Sequence, residues 1–105
     1  YVNVVDLAEA HVKALEYLFA GGESSIINIG TGTGNSVLEI VETVRRVTGV
    51  KFDIQKGESR KGEYAKMIAS IDKAKEILDW TPQRSIEDSI KSLVTWYKNY
   101  PQGWE

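Results

Sequence analysis

The stretch IINIGTGTGNSVLEIVE, residues 26–42, carries the reading of the whole chain. An apolar run, Ile26 to Ile29, feeds three glycines at alternate positions, Gly30, Gly32 and Gly34, and an apolar-periodic segment follows. Strand, glycine turn and helix is the order of a dinucleotide site, in which the helix N-terminus holds a pyrophosphate. Asp53, 18 residues beyond Asn35, stands where a ribose-binding acid is sometimes found. The spacing argues the other way. The fingerprint needs glycine at its first, third and sixth positions, the last for close helix–strand packing. Counted from Gly30 the sixth residue is Asn35, and counted from Gly32 it is Val37. Asp53 lies inside the apolar-polar alternation KFDIQ rather than at its end. Ser36 and Glu39 have the spacing of a capping box, which occupies the amides a phosphate would use. The stretch therefore reads as a tight turn in which glycines permit positive φ, and not as a cofactor site.

Outward from this turn, the chain alternates. Residues 1–5, YVNVV, read as a short strand, and Asp6 with Glu9 as the capping box of a first helix. Leu7, His11, Ala14, Leu15 and Leu18 recur at helical spacing until Gly21-Gly22 stops them. Ser25 to Ile29 is a second strand. The helix opened by Ser36 presents Val37, Ile40, Val41, Val44 and Val47 and ends at Gly49. Val50 to Gln55 alternates as a third strand. Residues 56–66 form a polar loop, and Met67 to Ile71 a brief extended segment. A short helix over Asp72 to Leu78 is capped by Ser70 or Asp72, and Pro82 biases Thr81 away from helix. Ser85 with Asp88 opens the last helix, whose apolar face is Ile86, Ile90, Leu93, Val94 and Tyr97. The predicted class is α/β, a small three-layer-like βαβαβ-αα arrangement in one domain over residues 1–105. Trp80, Trp96 and Trp104 are expected to supply much of its packing area.

Composition narrows the function. With 42% apolar and 27% charged residues in 105, the chain is an ordinary globular sequence with room for one modest core. The net charge is −2 without a basic stripe, so nucleic acid is not an expected partner. No apolar run approaches the roughly 20 residues of a membrane span. There is no cysteine, which excludes disulfides and thiolate metal sites and fits a cytoplasmic setting. One histidine, His11, excludes a His-rich metal cluster and reads as structural. No pair of groups is spaced for acid–base catalysis; neither Tyr64 with Lys66 nor Tyr97 with Lys98 has helical i, i+4 spacing. The candidate site is the loop ESRKGEY, residues 58–64. Arg60 has the planar fork that suits phosphate or carboxylate, and Glu63 can accept from sugar hydroxyls.

Four segments in order carry a resemblance: YVNVVDLAEAHVKAL (1–15), INIGTGTGNSVLEIVETV (27–44), SRKGEYAKMIASIDKAKEILDWTP (59–82) and SIEDSIKSLVTWYKNYPQGW (85–104). Together they resemble the carboxy-terminal portion of the sugar-nucleotide epimerase and dehydratase group, within the extended short-chain dehydrogenase/reductase family. The ending YPQGW resembles the branch of 4-epimerases. The resemblance implies a substrate-binding portion of a longer chain that holds a UDP-hexose. In the family the NAD cofactor, the catalytic tyrosine and lysine and the second diphosphate arginine lie upstream, in or after an amino-terminal Rossmann domain. Residues 1–105 are thus expected to lack catalysis and cofactor binding of their own. The parent enzyme would oxidise C4 of the sugar by hydride transfer to NAD and return the hydride to the other face. Arg60 matches the family's diphosphate-binding arginine, and Glu63 matches an acid, commonly Asp, that binds the uridine ribose. Met67 stands where some epimerases carry a tyrosine, and Asn3 where a histidine is common. The alternatives are another nucleotide-sugar epimerase or dehydratase, or a non-catalytic nucleotide-sugar binding or interaction module. A chain lacking its amino-terminal domain is also expected to expose apolar faces and to self-associate.

Overall fold

The structure, a computed structural model, describes residues 1–64 and 67–103. Among these residues it contains four helices and no strand: α1 (Val4–Phe19), α2 (Val37–Thr48), α3 (Asp72–Leu78) and α4 (Ile86–Asn99). The βαβαβ-αα expectation is therefore overturned. A strand exists only through a ladder with a second strand, and none of the three apolar runs finds one. Residues 25–29 still show the alternation that prompted the strand reading. Ile27 and Ile29 pack on the core, whereas Ile26 and Asn28 are exposed. The Ile26 carbonyl accepts from Lys73 Nζ at 2.8 Å. The run at 50–55 is held differently: Arg45 Nη2 donates to Phe52 O at 2.7 Å and its guanidinium lies over the Phe52 ring.

The first run is absorbed into α1 by a cap the spacing did not point to. Asn3 is the N-cap, its side chain accepting from Val5 N–H and its carbonyl from Leu7 N–H. Asp6, expected to cap, lies inside the first turn and is wholly buried. At the other end, Gly21 N–H donates to Leu18 O and Gly22 N–H to Tyr17 O, with Gly21 at φ +91°. That is a Schellman stop, which needs the left-handed residue glycine supplies. Helix α2 begins and ends at the predicted Ser36 and Gly49, and of the expected Ser36–Glu39 box it forms one half, Ser36 Oγ accepting from Glu39 N–H. Helix α4 has the complete Ser85–Asp88 capping box. Helix α3 has the predicted span, but Ile71 is its N-cap and supplies no side-chain cap, against the expectation of Ser70 or Asp72.

The helices associate in two pairs, α1 with α3 and α2 with α4. The core lies at the first pair: Ala10, Ile71, Ala74, Leu78 and Trp80 are buried, with Val2, Ala14, Tyr17 and Ile77 packed around them. Small residues on α1 and α3 let the two backbones approach. Trp80 is the largest buried side chain. Trp96 is only half-buried, stacked edge-on with Tyr97 and tilted against Tyr100, and Trp104 lies outside the described residues. On α1 Asp6 and Ala10 are buried and Tyr17 half-buried; of the predicted line Leu7 and Ala14 are half-buried, whereas His11, Leu15 and Leu18 are exposed. Likewise Val37 on α2, and Leu93 and Tyr97 on α4, are exposed.

The two pairs are joined by buried polar contacts. The Asp6 carboxylate accepts from the Gln83 and Arg84 amides at 3.1 and 2.9 Å and from Arg84 Nη1 at 2.6 Å. Trp80 Nε1 donates to Asp6 O at 2.9 Å. A buried carboxylate is tolerated only with such donors around it. The chain is nonetheless open. Its radius of gyration is 16.9 Å, against about 13 Å for a compact domain of this length. Its accessible surface is 8740 Å², against about 5,900 Å² for a compact monomer of this mass. One stripe of α1, Val4, Val12, Leu15 and Phe19, recurs at helical spacing and is exposed throughout, Phe19 to 83%.

Candidate functional site

Arg60 and Glu63 are brought together by a turn. Gly62 sits at φ +87°, and Glu63 N–H donates to Arg60 O at 3.1 Å. A glycine in the third place of a β-turn supplies that left-handed φ without a Cβ penalty. The Glu63 carboxylate closes the turn from the side, accepting from Arg60 N–H at 2.9 Å and pairing with Arg60 Nε at 3.3 Å. The Arg60 side chain is 88% exposed. An ion pair this wet is worth about 0.2–1 kcal/mol, so Glu63 restrains the Arg60 guanidinium only weakly.

The turn is followed directly by Tyr64, which lines an open cleft of about 420 Å³ with Tyr1, Thr33, Asn35, Val37 and Met67. Arg60 and Glu63 are not among the residues lining it. They stand beside it through Tyr64. The cleft offers two aromatic rings, an amide and a hydroxyl around an apolar floor. Such a combination takes a planar ring with polar edges. Residue-by-residue reading missed Tyr1 and Val37 as cleft residues, whereas Tyr64 closes the predicted loop 58–64. Their signal was an aromatic or apolar side chain that its own element leaves unburied. Val37, for example, opens the α2 stripe yet is 69% exposed.

The glycine turn forms the back of this cleft. Thr31 Oγ1 donates to Thr33 O at 2.9 Å and accepts from Thr33 N–H at 3.3 Å. These two threonines bond each other across the turn. A Cβ on Gly30 would lie 3.0 Å from Ala69 Cβ, and one on Gly32, at φ +75°, would lie 3.3 Å from Ile71. Close packing and positive φ account for both glycines. Asp53 is exposed, next to the Phe52 clamped by Arg45. His11 is exposed, its Nδ1–H donating to Leu7 O at 2.8 Å. No group of three or more metal-ligating side chains is assembled among the described residues. No helix among them is long and apolar enough to cross a membrane.

Arg84 is the charged group most tied into the fold. Its guanidinium is pushed above its ordinary range chiefly by the hydrogen bond to Asp6, with Glu9 adding to it. It is a structural cation, already engaged.

Comparison with known proteins follows the same line. No protein-family model matches the chain. The UDP-glucose 4-epimerase of Lacticaseibacillus casei is 45% identical over 105 residues, covering 99% of this chain and 32% of the relative. A crystal structure of UDP-glucose 4-epimerase superposes with a TM-score of 0.94 at 40% identity, over all of this chain and 32% of that one. The UDP-glucose-4-epimerase of Stenotrophomonas maltophila, solved with bound NAD and formylated UDP-arabinopyranose, superposes with a TM-score of 0.92 at 31% identity, over 99% of this chain and 31% of that one. The chain spans about a third of the length of the curated relatives it matches. By sequence and by fold together, it is related to UDP-glucose 4-epimerases and corresponds to their carboxy-terminal portion.

Proposed function

We propose that residues 1–105 are the substrate-holding portion of a UDP-glucose 4-epimerase, a protein that interconverts UDP-glucose and UDP-galactose in the cytoplasm. The observation that carries this reading is the 45% identity, over nearly the whole chain, to such an enzyme. In this reading Arg60 exchanges Glu63 for the diphosphate. Glu63, released, accepts from the ribose hydroxyls. The neighbouring cleft of Tyr1, Val37, Tyr64 and Met67 takes the base. Holding the handle of the substrate while the sugar reacts elsewhere is a use of remote binding energy.

The described residues do not fit an NAD site. The turn at Gly30–Asn35 lacks the glycine spacing, and the Thr31 hydroxyl is turned onto Thr33, holding its N–H and carbonyl. We therefore assign NAD, and every redox step, to an amino-terminal Rossmann domain outside this chain. The exposed α1 stripe supports the need for such a covering domain. Without it the same stripe favours self-association.

The test is calorimetric titration of the chain with UDP, then of Arg60→Ala. Loss of a charge-assisted contact to phosphate predicts a drop in affinity of about tenfold or more. Equal affinity in the two proteins would remove Arg60 from the site. A second reading is a UDP-pentose epimerase, favoured by the arabinose nucleotide in the similar Stenotrophomonas structure. Reconstitution with the amino-terminal domain and a comparison of UDP-glucose with UDP-arabinose as substrates separates the two.

A further inference from the structure

The cleft proposed above is built from both helix pairs. Tyr1 precedes α1, whereas Val37 opens α2 and Asn35 leads into it. Its shape therefore depends on how the α1/α3 pair is set against the α2/α4 pair. Besides the Asp6–Arg84 contact, a side-chain bond joins α4 itself to the start of α1: Asn3 Nδ2 donates to Ser89 Oγ at 2.9 Å, across 86 residues of sequence.

Asn3 is well placed to transmit that setting. It is 8% exposed, and both polar atoms of its side chain and its backbone carbonyl are engaged. Oδ1 accepts from Val5 N–H and the backbone carbonyl from Leu7 N–H. Nδ2 reaches α4. Ser89 points its own proton at Ser85 O at 3.2 Å, leaving a lone pair for Asn3. The amide is thus clamped on both edges. Two residues earlier, Tyr1 stands between the 420 Å³ cleft and a second one of about 650 Å³, lined by Asn3, Ser89 and Leu93 among others. Both clefts share Tyr1, Val2, Thr31, Thr33 and Asn35, so the Tyr1–Val2 segment is the wall between them.

We propose that Asn3 is a positioning residue: through Ser89 it fixes the Tyr1 wall relative to Val37, and so sets the affinity of the nucleotide cleft without touching the nucleotide. The affinity part rests on the proposed UDP-binding function; the placement of Tyr1 does not.

The variants are chosen to separate the bridge from the cap. Asp is as good an N-cap as Asn, so Asn3→Asp keeps the bond to Val5 N–H. It turns the donor to Ser89 into an acceptor, which the Ser89 hydroxyl can meet only by giving up its bond to Ser85 O. Ser89→Ala removes the acceptor, and Ser89→Thr restores it. UDP titrations of the 105-residue chain, well below its melting temperature, are combined with NMR of the Tyr1 ring and Val37 methyl resonances. Losing one net hydrogen bond predicts a weakening of about three- to tenfold in Asn3→Asp and in Ser89→Ala. The double variant should be no worse than either single one, Ser89→Thr should match the parent, and Tyr1 and Val37 should shift in the two broken variants. Unchanged UDP affinity, or unmoved Tyr1 and Val37 resonances, overturns the proposal. Should the parent chain itself fail to bind UDP, the nucleotide reading falls, and the two resonances alone decide the positioning role.

Discussion

The carboxylate of Asp6, at the start of α1, holds both the backbone amide and the guanidinium of Arg84, at the start of the turn into α4. Asp6 is fully buried, and three donors converge on it. Asp6→Ala strands the Gln83 and Arg84 amides together with a cation. We expect a loss of about 3 kcal/mol, read as a lower urea midpoint. Asp6→Asn, which keeps one acceptor oxygen, should fall between. A midpoint within 0.5 kcal/mol of the parent for Asp6→Ala would mean that this contact does not join the helix pairs.

Trp80 combines packing with a bond. Its ring is 1% exposed in the α1/α3 core, and its Nε1 donates to Asp6 O. Trp80→Ala should cost about 3–5 kcal/mol. Trp80→Phe keeps an aromatic ring and leaves the Asp6 carbonyl without this donor, at about 1–2 kcal/mol. Equilibrium unfolding in urea measures both, and equal losses would show that the hydrogen bond carries the residue.

The α4 cap predicts a pH dependence. Asp88 accepts from the Ser85 amide, and this bond first of all holds its carboxyl below the ordinary value of 3.8. A pKa lowered on folding means that the ionised form is favoured by the fold. The stabilisation is complete above the unfolded value and is lost as pH falls through the depressed one. Thermal midpoints taken from pH 7 down to pH 2 should show a drop below about pH 4 that is smaller in Asp88→Asn. Superimposable curves would count against the cap as a contributor.

Two glycines at positive φ should respond differently to alanine. Gly62, at φ +87°, has open space around it, so Gly62→Ala meets backbone strain alone, about 1–2 kcal/mol locally. That turn is an exposed loop, and the change should appear in UDP affinity before it appears in stability. Gly32→Ala adds a contact 3.3 Å from the buried Ile71 and should lower the urea midpoint as well. The reverse pattern would detach the turn at 60–63 from the binding site.

The exposed α1 stripe predicts association. Chains presenting Val4, Val12, Leu15 and Phe19 together should elute from a sizing column as concentration-dependent oligomers. A Leu15→Lys, Phe19→Lys variant should shift the elution towards the monomer. A parent chain that stays monomeric at high concentration removes the prediction.

Local chemistry was legible in the sequence. The starts of α2 and α4 follow from the Ser36 and Ser85 side chains, three residues from the amides they satisfy, and the Gly21-Gly22 and Gly49 stops from the positive φ that glycine allows within a residue or two of the helix end. The loop at 56–66 was legible from its polarity and glycines, but the turn that pairs Arg60 with Glu63 came from the structure. What was not legible came from distant partners. Ser25–Ile29 has the composition of a strand, but pairing needs a neighbour that the described residues do not supply. Asn3 outcompeted Asp6 as a cap because Arg84, 78 positions on, claims the Asp6 carboxylate. Periodicity located the apolar residues of α1 and α4 without telling which face would be covered, because burial is decided by what packs against a helix. The cleft of Tyr1, Val37, Tyr64 and Met67 is the sharpest case: three segments far apart in the chain meet there, and only the placement of one helix pair against the other brings them together.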